Sequence, residues 1–276
     1  MAGAHYPLRL SMKTYVQRNQ PPGVPPLELT GERTLPDVPE ENYWFQRHLA
    51  VYEWISERVP GLQVLDMACG EGYGSEVLAR SAGSVLGVDA NPEAHEHARL
   101  RYTRPNLSFE RGMVENFGEP GSFDAVVFLQ TIEHVQDAHA VLDHFRSLLV
   151  PGGVAYISTP NVLTLAPAGQ PKSDNPWHIR EYREDEFEQL CRSAFDDVAL
   201  LGLFHARKLR AHGVALTLGW DAIHPRLRIT KPFYGWFTPS ISTRDFTLRP
   251  QAKSLPGAEQ APSLAGALDF LAVCRA

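Results

Sequence analysis

The sequence predicts an α/β protein built on a mostly parallel sheet, and three observations carry that prediction. The apolar run Leu62 to Leu65 ends in Asp66 and breaks into the turn Met67-Ala68-Cys69-Gly70-Glu71-Gly72, before a helical pattern continues from Ser75. Strand, tight turn and helix N-terminus in that order build nucleotide sites in open α/β sheets. Strand-like and helix-like stretches then alternate from residue 62 to residue 159, the signature of parallel strands joined by right-handed crossovers. Within that alternation Phe123-Asp124-Ala125-Val126-Val127-Phe128-Leu129 is nearly continuous apolar sequence, as expected of a central strand covered on both faces.

Taken in order, residues 1–26 carry five prolines and little apolar periodicity, and read as a mobile arm. Arg9, Lys13 and Arg18 without acids give this arm a faint transit-peptide character, no apolar core of a secretory signal follows, and Met12 is a second candidate start. From Glu40 to Val59, Tyr43, Trp44, Arg47, His48, Val51, Tyr52 and Ile55 recur at helical spacing, and Pro60-Gly61 ends the helix. After the glycine turn a helix runs to Gly83, and Val85-Leu86-Gly87-Val88-Asp89 is a second short strand. Asn91-Pro92-Glu93 caps a helix through Arg101, on which His95 and His97, two residues apart, point different ways and read as a solvated face. Leu107 to Arg111 is a third strand, 123–129 a fourth, 138–149 a helix, and Val154 to Thr159 a fifth strand after the turn Pro151-Gly152-Gly153. A helix over Glu184 to Ala194, a strand over Val198 to Phe204 and a last strand over Leu268 to Cys274 complete the pattern.

The glycine turn narrows the ligand. A dinucleotide fingerprint beginning at Gly70 requires its third glycine at position 75, where Ser75 stands. Asp66 at the strand end would repel a pyrophosphate and suits a ligand with an ammonium group. Gly70 and Gly72 let a ligand approach the main chain. Asp89, 23 residues after Asp66, stands where such sheets place an acid to accept bonds from ribose hydroxyls.

Composition sets outer bounds. The net charge of −6 argues against a nucleic-acid partner. Cys69, Cys191 and Cys274 are an odd set without a C-x-x-C pair, so neither a disulfide framework nor a zinc site is suggested and a reducing cytoplasm fits. No apolar run approaches the roughly 18 residues of a membrane span.

The run Leu65-Asp66-Met67-Ala68-Cys69-Gly70-Glu71-Gly72 resembles motif I of the class I S-adenosylmethionine-dependent methyltransferases, with Ala68 in place of the usual first glycine. The resemblance extends through Asp89 and the run Glu133-His134-Val135 and covers residues 40–204. It implies a Rossmann-like, seven-stranded, mostly parallel sheet with helices on both faces, in a single domain over residues 27–276. It also implies S-adenosyl-L-methionine as cofactor, cradled by Asp66, Ala68, Gly70 and Gly72, with Asp89 on the ribose. After the third strand the family often has Gly-Asp-Ala-Glu, whose aspartate bonds the adenine; here Met113 replaces it, leaving Met113 and Val114 to pack against the base. Gln130, in the loop after the fourth strand, faces the cofactor. The segment Glu41 to His48 looks like the helix that covers the cofactor in related enzymes, which places Arg47 or His48 near the methionine carboxylate.

Methyl transfer needs alignment more than covalent catalysis, but a neutral hydroxyl must also lose a proton, most often to histidine. His178, in Pro176-Trp177-His178-Ile179-Arg180-Glu181 with Glu181 to orient it, is the first candidate and His134 the second. No metal site is assigned, although Asp174, His178 and Glu181 could hold a divalent ion, as in some sugar methyltransferases. The expected acceptor is a saccharide or small molecule, and a homodimer is open. In the family the last two strands form a close hairpin, whereas here 63 residues, 205–267, separate them. They read as an inserted substrate cap: Arg207 to Lys231 holds six Lys/Arg and one acid, aromatics cluster from Trp220 to Phe237, and 250–266 is a flexible return. Leu29 to Thr34, Ser158 to Asn161 and the His178 loop are similar to the methyltransferases of 6-O-methylglucose lipopolysaccharide biosynthesis, which implies O-methylation of a polysaccharide. N- or C-methylation of a quinone-like metabolite, or cofactor binding without catalysis, are the alternatives.

Overall fold

A computed structural model of the chain describes residues 14–15, 20–28, 33–167, 169–251 and 264–276. In chain order the regular elements are β1 (Thr14–Tyr15), β2 (Leu27–Glu28), α1 (Asn42–Ser56), β3 (Gln63–Met67), α2 (Tyr73–Leu78), β4 (Ser84–Asp89), α3 (Pro92–Arg101), β5 (Leu107–Arg111) and β6 (Phe123–Leu129). There follow α4 (Ala138–Leu148), β7 (Leu149–Pro160), α5 (Val162–Leu165), α6 (Glu184–Ala194), β8 (Asp197–His205), α7 (Arg207–Thr217), α8 (Trp220–Arg226), α9 (Thr230–Phe237), β9 (Phe246–Pro250) and β10 (Asp269–Arg275).

The main sheet has the order β5-β4-β3-β6-β7-β10-β8-β9. Neighbours from β5 to β7 are parallel, and β10 runs antiparallel between β7 and β8. The chain winds outward from β3 to β5 in one direction and from β6 to β7 in the other. The crevice beyond the carboxyl ends of β3 and β6 is therefore the switch point at which open α/β sheets bind ligands.

Two layers close the sheet. On one face α4 and α6 bury Leu142, Phe145, Phe187 and Leu190 against Val126, Phe128 and Phe270. On the other, α1 and α2 bury Val51, Tyr52, Ile55 and Leu78 against Val64, Val127 and Tyr156. Both α4 and α6 place apolar residues three and four apart along the sequence, and the sheet takes up that stripe.

The sheet has eight strands where seven were expected. The extra one, β9, comes from within 205–267 and pairs antiparallel with β8, from His205↔Phe246 to Leu201↔Pro250. Only Phe246 and Leu248 alternate as apolar residues, and the strand ends in Pro250, a composition tolerated at a sheet edge and weak as a signal. Among its other described residues the insertion forms α7, α8 and α9 and two short 3-10 turns. Its aromatics pack largely on one another: Phe233 stacks on Phe237 at 5.3 Å, and His212 lies 4.8 Å from Phe237. The Asn42 side chain of α1 donates to the carbonyls of Thr238 (2.8 Å) and Ile241 (3.0 Å), tying the insertion to the covering helix. Most of the expected flexible return lies outside the described residues.

Much of the expected N-terminal arm is also outside them. Its described part packs on the domain: β1 pairs with β2, Leu27 is fully buried with Leu35 and Val38, and the Pro25 carbonyl lies 2.7 Å from His97 Nδ1. His97 is thus buried rather than on a solvated face, with Glu71 3.3 Å from its Nε2. A helix residue's face is decided by what crosses it, and here the crossing segment is more than 70 residues away in sequence.

Candidate active site

The turn after β3 is built for close approach. Ala68, Gly70 and Gly72 all have positive φ, 57°, 58° and 91°. A Cβ on Gly70 would meet nothing within 4 Å, so the space beside this glycine is open. At Gly72 a Cβ would lie 2.9 Å from Ala98 Cβ and from the Phe109 ring. Gly72 is therefore required by packing, and its expected role in ligand approach passes to Gly70. Ala68 accepts a backbone conformation that costs an L-residue roughly 1–2 kcal/mol.

Asp66 lies beneath this turn instead of facing a ligand. It is fully buried, and its oxygens accept hydrogen bonds from Ser75 Oγ (2.6 Å) and Tyr52 OH (3.2 Å). Burial pushes its pKa up to about 7, against the lowering effect of those two hydroxyls. The expected direct partner of an ammonium is thus a support that holds β3, α1 and α2 together.

Asp89 is half-buried at the end of β4 and receives the Gly70 N–H (2.8 Å) and the Asn91 N–H (2.8 Å), one on each oxygen. Each oxygen has a second lone pair, so the carboxylate can brace the turn and still accept from vicinal hydroxyls. Gln130, at the end of β6, also has positive φ (52°) and donates its side-chain amide to Ser158 Oγ at 2.9 Å. Met113 is 54% exposed and Val114 packs partly against the core. An open glycine edge, a carboxylate with spare lone pairs and an exposed thioether side chain fit a nucleoside.

Arg47 and His48 do not offer the expected charge. The Arg47 guanidinium forms a fork with Asp269, through Nε (2.7 Å) and Nη2, and also donates to the Leu268 carbonyl at 2.8 Å. Both side chains of the pair are at most 5% exposed. Burial lowers the His48 pKa to about 4, which keeps that ring neutral. Sequence reasoning missed Asp269 because it is 222 residues from Arg47 and sits at the start of an apolar strand.

The loops after β6 and β7 meet at a second constellation. The carbonyl of Glu133 accepts the N–H groups of Ile179 (2.8 Å) and Arg180 (3.2 Å), zipping the two loops together. His178 is buried, and its Nδ1 lies 2.7 Å from Glu181 Oε1. Glu181 also receives the Ser173 N–H at 2.8 Å and the Ser173 hydroxyl. Burial pushes the Glu181 carboxyl up, but bonds from His178 and Ser173 outweigh it and hold the group below its ordinary range. A carboxylate only accepts, so the proton sits on Nδ1 and the His178 lone pair on Nε2, where the Asn175 amide donates at 3.0 Å. The His134 ring lies 4.9 Å from that of His178, edge to face, and its Nδ1 is 3.0 Å from the Trp177 carbonyl. By the same logic the His134 lone pair is on Nε2. Trp177 itself is 58% exposed.

Glu133 is the residue sequence reading did not single out. Its carboxyl is 1% exposed, accepts from Thr159 Oγ1 at 3.1 Å, and is raised to about 8 chiefly by burial. One ligand-capable atom from each of Glu133, His134 and His178 lies within 4.8 Å of the others. This replaces the expected alternative of Asp174, His178 and Glu181: Asp174 is exposed, and Glu181 is occupied in orienting His178. Among the described residues no helix is long and apolar enough to cross a membrane.

Comparison with known proteins agrees with the crevice. A family model described as a methyltransferase domain matches residues 40–210. A probable S-adenosylmethionine-dependent methyltransferase of Mycolicibacterium smegmatis is 42% identical over 186 residues, covering 66% of this chain and 71% of that one. A ubiquinone biosynthesis O-methyltransferase of Xanthomonas campestris is 38% identical over 115 residues, 40% of this chain and 48% of its own length. In fold, the chain resembles a methyltransferase from Thermotoga maritima described as a possible histamine N-methyltransferase, with TM-score 0.55 and 14% identity over 86% of this chain and 94% of that one. It also resembles a methyltransferase from Mesorhizobium loti, with TM-score 0.51 and 19% identity over 82% of this chain and 98% of that one.

Proposed function

The chain belongs to the methyltransferase-domain family and is an enzyme that uses S-adenosyl-L-methionine, and from that premise we propose that it methylates a hydroxyl group, on a saccharide acceptor. The observation that carries the hydroxyl is the His178–Glu181 pair at 2.7 Å. It fixes the imidazole with its proton on Nδ1 and its lone pair on Nε2, beside the Asn175 amide, in a loop at the carboxyl end of β7. An amine in its neutral form needs no such group to become nucleophilic, whereas a hydroxyl does.

The cofactor supplies a methyl group already activated on a sulfonium. The remaining work falls to the chain. Gly70 and Ala68 shape the cradle, Asp89 accepts from the ribose, Met113 and Val114 border the base, and Gln130 lines the far wall. His178 activates the acceptor hydroxyl, with Glu181 behind it and His134 beside it. Trp177, exposed next to His178, supports the saccharide because an open indole face stacks on the apolar face of a sugar ring. The cap aromatics support it less, since Trp220, Phe233, Tyr234 and Phe237 are engaged in ring contacts with one another. The polysaccharide of methylglucose lipopolysaccharide type is the finer reading, resting on short motifs.

A second reading is favoured by one finding, the similarity to ubiquinone biosynthesis O-methyltransferases: a phenolic acceptor in place of a sugar. Incubation with radiolabelled cofactor and a panel of oligosaccharides, catechols and amines separates the readings. Transfer to an amine alone would sink both hydroxyl assignments, and transfer to catechols without saccharides would replace the first by the second. His178→Ala should lower kcat by about 10²-fold or more with cofactor affinity nearly unchanged.

A further inference from the structure

We propose that Glu133, His134 and His178 form a binding site for a divalent first-row transition-metal ion, through which the acceptor hydroxyl is activated. The second half of that statement rests on the hydroxyl reading above and makes His178 a ligand where that reading made it the proton acceptor; the ion site does not depend on it.

The geometry has the features of a preformed ligand set. Three residues from two loops bring a ligand-capable atom each to within 4.8 Å of one another, and the loops are locked by the two N–H donations to the Glu133 carbonyl. In both imidazoles the Nδ1 proton is directed to an acceptor, the Glu181 carboxylate for His178 and the Trp177 carbonyl for His134. Metal-binding histidines are held this way, because the outer hydrogen bond fixes the tautomer and aims the other nitrogen. Glu133 offers a carboxylate oxygen as the third ligand. Its side chain is 1% exposed, and no Lys or Arg forms an ion pair with it among the described residues. A buried carboxylate without a cation is costly, and a divalent ion between it and two imidazoles would meet that cost.

Two nitrogens and one carboxylate oxygen suit Mn(II), Fe(II), Co(II) or Zn(II) better than Mg(II), which prefers an all-oxygen shell. On binding, the ion takes the His178 Nε2 lone pair and the Asn175 amide turns away from it. Three protein ligands leave coordination positions for the acceptor oxygen, whose O–H proton is lost to solvent as the ion lowers its pKa. The oxygen lone pair then forms the O–CH3 bond while the S–CH3 bond breaks with its electrons remaining on sulfur, giving a neutral thioether.

The test uses the full chain after treatment with EDTA. Titration with Co(II), followed by its visible absorption, and with Mn(II), followed by calorimetry, should give one ion per chain, bound at least tenfold more tightly than Mg(II). Glu133→Gln and His178→Ala should weaken that binding by about 100-fold, with circular dichroism and cofactor binding retained. Asp174→Asn, on the exposed side of the same loop, should leave it unchanged. Absence of stoichiometric binding, or binding indifferent to both variants, would overturn the site. Hydroxyl methylation at full rate by verifiably metal-free protein would overturn the ion's part in activating the acceptor while leaving the function reading intact. Stoichiometric binding with transfer only to an amine would support the site and remove the hydroxyl reading.

Discussion

Replacing Asp269 by asparagine tests what Arg47 does. In the structure the Arg47 guanidinium and the Asp269 carboxylate face each other as a fork with side-chain exposures of 5% and 3%. Asparagine keeps the shape and removes the charge, leaving a buried guanidinium with one amide oxygen and the Leu268 carbonyl. Breaking a buried pair from one side costs about 3–5 kcal/mol. For a chain of this size that is about 2 °C per kcal/mol, or roughly 6–10 °C in Tm. The double variant Arg47→Met/Asp269→Leu should lose much less than the sum of the singles, with a coupling of about 2–3 kcal/mol. It orphans no backbone group, because the Leu268 carbonyl still receives the Asn161 N–H at 3.0 Å. Scanning calorimetry and urea denaturation on wild type, Arg47→Met, Asp269→Leu and the double variant close the cycle, with Asp269→Asn measured beside them, and calorimetric titration of S-adenosylmethionine into each reads cofactor affinity. The reasoning fails if Asp269→Asn costs under about 1 kcal/mol. It fails equally if Arg47→Met keeps its Tm and loses cofactor affinity tenfold or more, since Arg47 would then serve the ligand's carboxylate.

Three further outcomes are expected. Ala68→Gly should raise stability by about 0.5–1 kcal/mol, the relief of a left-handed alanine less the added freedom of the unfolded chain, measurable by urea denaturation; a loss would mean the turn is unstrained. Asp66 titrates near 7 when folded and near 3.8 when unfolded, so the folded state holds the extra proton across that window. This contribution is complete below pH 3.8 and lost as pH rises through about 7, at most about 4 kcal/mol. Wild type should therefore lose more stability than Asp66→Asn between pH 5 and pH 8, and parallel curves would refute the raised pKa. Asp89→Ala should weaken cofactor binding by about 100-fold, the loss of two charge-assisted bonds, with Asp89→Asn intermediate; unchanged affinity would remove the ribose assignment.

The fold was legible in the sequence wherever a local signal sufficed. Apolar runs of strand length ending in an acid, helices of the right period between them and glycines at the turns announced the parallel half of the sheet. Asn91, with its side chain accepting from Glu93 and Ala94, capped α3 as its position implied. The eighth strand was hidden because an edge strand needs only one apolar face and tolerates Pro250. In the candidate site, His178 with Glu181 three residues on was readable because a turn brings such neighbours together. Glu133 was not, since nothing adjacent in sequence shows that a loop 45 residues later would close over it.

The sequence by itself therefore determined an α/β fold with its nucleotide-type crevice after Asp66, because turn chemistry and strand patterning are written in adjacent residues, and the resemblance of residues 65–72 to a family motif added the methyltransferase. Only the tertiary structure decided which charged groups face the crevice. Arg47 turned to Asp269 and Asp66 to Ser75 and Tyr52, while Glu133 joined His134 and His178. Where a charge goes depends on which partner the folded chain carries to it, and a buried charge takes the partner that compensates its desolvation.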